Sequence, residues 1–181
     1  MLLAVESAEL TEQHSWPILA AVSDRPVLYL LSGLPCSGKS TNARELERNG
    51  IVRIPVDEMM IESVGRLGID HEPKRHTELL TPVVAEARET AISHLLACSD
   101  VAFDHGLGRR AERDDLKRRA LESGAAWKLL WFDAAISTLR RRCSQRFDVP
   151  GTVPITDQIL DHLAVSWERP AGEGETVIAT D

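Results

Sequence analysis

The chain has 181 residues, is 43% hydrophobic and 27% charged, and carries a formal net charge of −7. That length suits one domain with one core, and the composition is that of an ordinary globular protein rather than a disordered or fibrous one. The acidity argues against a polynucleotide partner without excluding one, because a local basic patch can lie within a negative total. No apolar run is long enough to span a bilayer, and no secretory leader is recognisable, so we predict a cytoplasmic protein with no membrane partner.

The pattern along the chain predicts an α/β domain. We expect residues 1–26 to form an N-terminal extension on the surface, and residues 27–181 to form the domain itself. Apolar runs that fit buried strands alternate with segments of helical periodicity, which is typical of a parallel sheet covered by helices on both faces. The predicted strands span residues 27–31, 51–56, 100–104, 127–132 and 176–179, and the predicted helices span 39–48, 58–67, 81–97 (with 76–80 as a preceding turn), 109–123, 134–147 and 155–166.

A glycine-rich loop follows the first strand and opens the first helix. Strand, loop and helix in that order are the context that a phosphate-binding P-loop requires. Its glycines let backbone N–H groups turn inward around an anion, and the helix adds its positive end. The lysine can reach the β- and γ-phosphates and the following hydroxyl can ligate Mg²⁺, so we predict ATP and Mg²⁺ as cofactors. The loop reads Gly33, Leu34, Pro35, Cys36, Ser37, Gly38, Lys39, Ser40, Thr41.

Three predicted strands end in acids, at the sheet edge where ligands gather in open parallel sheets. Asp57 follows the strand after the P-loop helix, where it can orient an acceptor hydroxyl and accept its proton, with Glu58 as the alternative base. Asp104 could hold Mg²⁺ through water, or serve as a structural acid that hydrogen-bonds the loop; His105 beside it is read as a loop histidine. Asp133 is read as an ordinary capping or loop residue.

Arginines are concentrated in two of the predicted helices. On the helix that begins near residue 134, Arg142 and Arg146 flank one side of an apolar stripe and could neutralise charge that develops during phosphoryl transfer, as a lid would. The alternative is a solvated basic face. Arg109, Arg110 and Arg113 could bind an anionic acceptor or merely solvate their helix.

The three cysteines are Cys36, Cys98 and Cys143. Their number is odd and their spacing wide, so the sequence predicts neither a zinc site nor a disulfide framework. Cys36 lies within the P-loop, where the anion-binding backbone could make its thiol oxidisable. The alternative is that Cys36 is simply a small loop residue.

With these residues in place, the chain resembles the small P-loop kinases of the nucleoside-monophosphate-kinase-like superfamily. Within it, the chain is most similar to the AAA-like ATP-binding kinases allied to the kinase half of polynucleotide kinase, chloramphenicol phosphotransferase, gluconate kinase and zeta toxin. The parts that carry the likeness are residues 31–41, the strand ending in Asp57, the strand Val101–Asp104 followed by Arg109 and Arg113, the lid with Arg142 and Arg146, and the segment Trp167–Pro170 with Glu175.

The resemblance implies a three-layer P-loop fold whose five-stranded parallel sheet has the order 2-3-1-4-5. It also implies Asp57 as the base, Arg142 and Arg146 as lid arginines within a small lid around residues 134–152, and an approach of residues 169–174 to the adenine. We therefore predict an ATP-dependent phosphotransferase acting on a hydroxyl of a small molecule. The alternatives are a 5′-hydroxyl polynucleotide kinase, a regulatory module that binds ATP without chemistry, and a toxin that phosphorylates a nucleotide sugar.

Overall fold

The computed structural model describes residues 25–66, 69–146 and 153–180. Predictions for residues 1–24 of the N-terminal extension and for the lid segment 147–152 therefore lie outside the described residues. The strands are β1 (Val27–Ser32), β2 (Val52–Pro55), β3 (Val101–Asp104), β4 (Ala126–Asp133) and β5 (Glu175–Ala179). The helices are α1 (Lys39–Arg48), α2 (Val56–Val64), α3 (His76–Leu96), α4 (Arg110–Glu122), α5 (Ile136–Gln145) and α6 (Asp157–Ser166), with a 3₁₀ turn at Pro73–Arg75.

The five strands form one parallel sheet in the order β2-β3-β1-β4-β5, as expected. The central strand is β1, whose residues Leu28, Leu30 and Leu31 are fully buried. Helices cover both of its faces, so an apolar side chain on either side of the strand is removed from water. The P-loop fold and the three-layer α/β architecture are thus confirmed.

The alternation of side chains along the strands divides the core into two layers. Leu28 and Leu30 of β1 and Phe103 of β3 point to the face covered by α2, α3 and α4. Leu31 points to the other face, where it packs with α1. A smaller third cluster joins α5 and α6 through Leu139, Cys143 and Leu160.

The register of the sheet brings the loops after β1, β2 and β3 together. Pro55 pairs with Asp104, and Leu30 pairs with Phe103. Because these strands are parallel, the residues that follow them emerge at the same edge. The P-loop, the start of α2 and the loop after β3 therefore meet at one place.

Two helices begin earlier than the sequence predicts. α2 begins at Val56, so Asp57 lies in the first turn of a helix and not at the end of a strand. An acid in that turn is favoured by the positive end of the helix. α3 runs without interruption from His76 and contains Pro82, so its start is set by packing of the whole helix and not by proline.

Within the described residues, no helix combines the length and the apolar character that a membrane crossing requires.

Candidate active site

The P-loop makes a tight turn between β1 and α1. Gly38 has a φ of 100° and Cys36 a φ of 63°, both in the left-handed region. A side chain at Gly33 would put Cβ 2.7 Å from Ser37 Oγ and 2.8 Å from the Phe132 carbonyl oxygen. Glycine is therefore required at this position by the close approach of β4.

Two adjoining cavities open at the loop. The smaller one, of about 260 Å³, is bounded by loop residues 36–41 together with Arg44 and Arg146, which gives it the positive lining that a phosphate chain needs. The larger one, of about 370 Å³, lies between Gly38, Phe132, Arg142 and Thr180 and is also lined by Arg146. The two cavities share Cys36, Gly38, Thr41 and Arg146 and are therefore adjacent.

Lys39 is folded back onto the loop. Its Nζ donates hydrogen bonds to the carbonyl oxygens of Gly33, at 2.7 Å, and Leu34, at 2.8 Å. Burial lowers the pKa of Lys39, although the charges of Asp57 and Asp104 oppose that shift. The ammonium group thus lies close to both candidate acids of the site.

Asp104 joins the P-loop to β2. Ser40 Oγ donates to Asp104 Oδ1 over 3.0 Å, which is the hydroxyl and carboxylate pair that magnesium sites of P-loop proteins use. Arg53 donates from Nε and Nη2 to Asp104 Oδ2 over 2.9 and 2.7 Å, and its Nη2 also contacts Glu58 at 2.7 Å. The oxygen atoms of Ser40 and Asp104 are of the type that Mg²⁺ prefers. The hydrogen bond between them is also the contact with the P-loop that the sequence offered as the alternative, structural role of Asp104.

Asp57 faces the loop after β3. Its Oδ1 lies 3.8 Å from Nδ1 of His105, whose side chain is only 17% exposed while that of Asp57 is 78% exposed. Desolvation by the surrounding protein acts to raise the pKa of Asp57. The favourable interactions of its carboxylate with His105, Lys39 and His76 are stronger, so the net effect is a lowered pKa. The carboxylate is therefore held ionised close to the P-loop residue Lys39, although Asp57 lines neither of the two cavities.

His105 lies in the loop after β3, as the sequence suggested, and has a buried ring nitrogen. Its Nδ1 is buried and makes no protein hydrogen bond, and its ring meets Phe103 edge to face at 6.3 Å between centroids. Burial lowers the pKa of the neighbouring His76, and the proximity of His105 adds to this effect against the attraction of Asp57. Two histidines and one carboxylate thus lie near one another beside the P-loop.

The arginines of α5 separate into two groups. Arg140 forms ion pairs with Asp157 and Asp161 of α6, so it fastens the two helices to each other. Arg142 donates to the carbonyl oxygen and, over 3.4 Å, to Oγ1 of Thr180, which in turn donates to the carbonyl of Ser37 in the P-loop over 3.0 Å. Arg146 lines both cavities. The structure brings both predicted lid arginines to the nucleotide cavities.

Arg113 does not take either role that the sequence offered for it. Its side chain is fully buried and donates to the Glu173 carboxylate over 2.6 and 2.8 Å, and Lys117 adds a contact to the same group at 3.3 Å. Arg110 pairs with Asp114. Arg113 is therefore a structural residue, neither a ligand for an anionic acceptor nor part of a solvated face.

The segment after α6 covers the loop that follows β3. Trp167 lies on Gly106 and Gly108, and a Cβ on Gly108 would be 2.9 Å from its ring. The loop is therefore closely packed. Residues 169–174 line neither cavity; Glu173 turns towards α4 instead.

Three residues that make defined contacts in the structure were not identified from the sequence: Arg53, Glu173 and Thr180. Arg53 had a usable signal, since a charged residue inside a buried parallel strand needs a partner of opposite charge. The partners of Glu173 and Thr180 lie 60 and 143 residues away in the chain, and no local pattern reveals such pairs.

Comparison with known proteins gives one family and a set of similar folds. The profile of the family AAA_33, described as an AAA domain, matches residues 28–170. No curated protein gives a significant match. The solved structure of the Pnkp1/Rnl/Hen1 RNA repair complex includes a similar chain, with 23% identity and a TM-score of 0.65; the match covers 78% of this chain and 44% of that one. This protein thus spans less than half of that chain.

Two further solved structures match over most of both chains. One is a putative kinase from Chloroflexus aurantiacus, with 15% identity, a TM-score of 0.67, and coverage of 86% of this chain and 88% of that one. The other is a gluconokinase from Sinorhizobium meliloti, with 17% identity, a TM-score of 0.58, and coverage of 86% and 82%. At these identities the likeness is one of fold.

Proposed function

We propose, from the premise that this chain belongs to the AAA domain family of P-loop proteins, that it is an ATP-dependent phosphotransferase whose acceptor is a hydroxyl group of a small molecule. The observation that carries the proposal is the position of Asp57, whose carboxylate lies 3.8 Å from His105 and whose pKa is lowered by His105 and by the P-loop residue Lys39. A P-loop alone binds a nucleotide, whereas a carboxylate at this position supplies a base for an acceptor.

The proposed reaction requires few groups. The acceptor hydroxyl donates a hydrogen bond to Asp57, its oxygen forms a bond to the γ-phosphorus, and its proton passes to the carboxylate. The bond between the γ-phosphorus and the bridging oxygen breaks, and ADP leaves with the electron pair. Lys39 and Arg146 neutralise charge on the transferred group.

Lys39 must exchange its hydrogen bonds with Gly33 and Leu34 for bonds to phosphate. That exchange is favourable because a phosphate oxygen carries a full charge where a carbonyl carries only a partial one. Ser40 and Asp104 would hold Mg²⁺, which supplies additional neutralisation of the β- and γ-phosphate oxygens.

The test is a transfer assay with ATP labelled in its γ-phosphate, run over sugars, nucleosides, antibiotics and 5′-hydroxyl oligonucleotides. We expect Lys39→Ala to abolish transfer and Asp57→Asn to reduce it by roughly 10²-fold or more, the usual loss for a general base. Glu47→Gln, an exposed acid of α1, is the matched control and should leave the rate unchanged.

Near-normal turnover of Asp57→Asn with a true acceptor would show that the base is assigned wrongly. Tight binding of ATP with no labelled product from any acceptor class would favour a regulatory module instead.

A further inference from the structure

The P-loop and helix α5 meet through two cysteines. Cys143 Sγ donates to Cys36 Sγ with only 2.8 Å between the sulphur atoms, although the residues are 107 positions apart. Both are free thiols, and Cys143 is 3% exposed whereas Cys36 is half-buried. We propose that this pair is an oxidation site, at which a peroxide converts the two thiols into a disulfide within the chain.

The geometry needs little adjustment. The sulphur atoms would approach by roughly 0.8 Å, from 2.8 Å to the approximately 2.05 Å of a disulfide. Cys36 lies on a loop and Cys143 on a short helix, so the approach requires no rearrangement of the sheet.

The burial of the two residues sets the order of events. Cys36 lines both cavities at the P-loop and is the thiol that a peroxide can reach. Burial raises the pKa of Cys143 to about 12, with its hydrogen bond to Cys36 as the next cause, so Cys143 is the poorer first reactant. Once Cys36 is oxidised, its sulphur is an electrophile in contact with Cys143 Sγ, which makes Cys143 the resolving thiol.

The reaction balances with one peroxide. Hydrogen peroxide oxidises the Cys36 thiol to a sulfenic acid and is itself reduced to water. The Cys143 sulphur then attacks the sulfenic sulphur, a second water leaves, and the S–S bond forms. Two thiols and one hydrogen peroxide give one disulfide and two molecules of water.

The third cysteine provides an internal control. Cys98 is exposed and follows α3, at the amino end of β3, whereas the P-loop lies beyond the carboxyl end of β1. Because the sheet is parallel, Cys98 and Cys36 lie at opposite edges of it. A reaction governed by exposure alone would modify Cys98 first.

The test treats the full reduced chain with increments of hydrogen peroxide, blocks the remaining thiols with iodoacetamide, and analyses tryptic peptides by mass spectrometry. We expect Cys36 and Cys143 to disappear together into one linked peptide while Cys98 remains alkylated. Saturating ATP should slow the loss, because it fills the cavities that Cys36 lines, and dithiothreitol should reverse it.

Three variants complete the experiment. Cys98→Ser should leave the linked peptide unchanged, whereas Cys36→Ser and Cys143→Ser should each eliminate it. If burial of Cys143 makes its variant fold poorly, Cys36→Ser alone gives the answer. Oxidation of Cys98 before the pair, a disulfide only between two chains, or separate oxidation of Cys36 and Cys143 without a link would overturn the proposal. A rate unaffected by ATP would count against the proposed function instead, because it would show that no nucleotide fills the cavities that Cys36 lines. These readouts are covalent, so they do not depend on the proposed transfer reaction.

Discussion

At the residue scale, His105 is proposed to position Asp57 and keep it ionised. Asp57 must be deprotonated to act as a base, and His105 is the leading cause that lowers its pKa, with Lys39 and His76 as the other groups facing it. Without His105, the main group that lowers the pKa of Asp57 is lost, so that pKa rises. The acidic limb of the pH profile of kcat/KM should therefore move to higher pH in His105→Asn.

The matched variant for that measurement is His162→Asn, an exposed histidine on α6, which should keep the wild-type profile. An unshifted acidic limb in His105→Asn, with only a uniform loss of rate, would indicate a purely structural histidine.

The buried ion pair between Arg113 and Glu173 makes a prediction for stability. The two side chains are 0% and 2% exposed, so removing the guanidinium would leave a carboxylate without its main partner in the core. Arg113→Ala should lower the free energy of unfolding by about 3–5 kcal/mol. The contrast is Arg118→Ala on the same helix, whose pairs are 58% exposed on the arginine side and should contribute about 0–1 kcal/mol. Urea unfolding of both variants measures the difference; equal losses would contradict this account.

The same pair predicts how stability responds to acid. Hydrogen bonds from Arg113 lower the pKa of Glu173 in the folded protein, and those from Lys117 add to the effect against burial. A carboxylate with a lowered pKa in the folded state stabilises the protein fully at a pH above its ordinary pKa of 4.5. This contribution is lost as the pH falls through the pKa of the folded state. The stability difference between wild type and Glu173→Gln should therefore shrink below about pH 4.5. A difference that stays constant down to acid unfolding would disprove it.

At the element scale, the loop after β3 is held by the indole of Trp167. Gly108→Ala would bring Cβ to 2.9 Å from that ring, whereas Gly106→Ala would bring it to 3.3 Å, so the first substitution must displace the ring and the second requires a smaller shift. We expect Gly108→Ala to cost about 1–3 kcal/mol, the usual range for overpacking, and more than Gly106→Ala does. Thermal unfolding followed by tryptophan fluorescence measures both effects. The reverse ranking would show that the indole does not limit the space at this loop.

Periodicity predicted the elements well where each one has a buried face of its own. α1 was predicted with its observed bounds because Gly38 and Asn49 stop the helical pattern on either side. The start of α3 was not predicted correctly. Local propensity would end a helix at Pro82, but packing against the sheet stabilises the helix through this residue. The predicted helix bearing Arg113 was found, but the direction of that side chain depends on Glu173, which lies far along the chain.

At the scale of the whole molecule, net charge distinguishes between acceptors. A chain with a net charge of −7 has little excess of cations with which to displace counterions from a polynucleotide. With a small acceptor, kcat/KM should change little between about 50 and 200 mM salt, whereas a protein that makes several phosphate contacts would lose about 10³-fold or more in affinity. A steep salt response in the transfer assay would favour the polynucleotide kinase alternative.

The sequence predicted the whole-molecule architecture and the P-loop, because both depend on patterns that are local in the chain. The strand order followed from resemblance and is confirmed. The contact of Asp104 with the P-loop was one of the alternatives, but its pairing with Arg53 and the partners of Cys36 and Arg113 were not predicted, since they depend on how elements distant in the chain are packed. The roles of Asp57, Arg142 and Arg146 remain predictions that the transfer assay tests.

The contacts of Thr180 affect the stage of folding at which the protein becomes able to bind a nucleotide. The hydroxyl of Thr180 donates to the carbonyl of Ser37, and the carbonyl oxygen of Thr180 accepts from Arg142. The P-loop therefore receives a contact from a residue 143 positions later. The nucleotide cavity is therefore complete only after β5 has joined the edge of the sheet. A folding intermediate that contains β1 to β4 alone would have the glycine loop but an unfinished cavity. Binding of a fluorescent ATP analogue during refolding would then report the docking of the last strand, not the formation of the first.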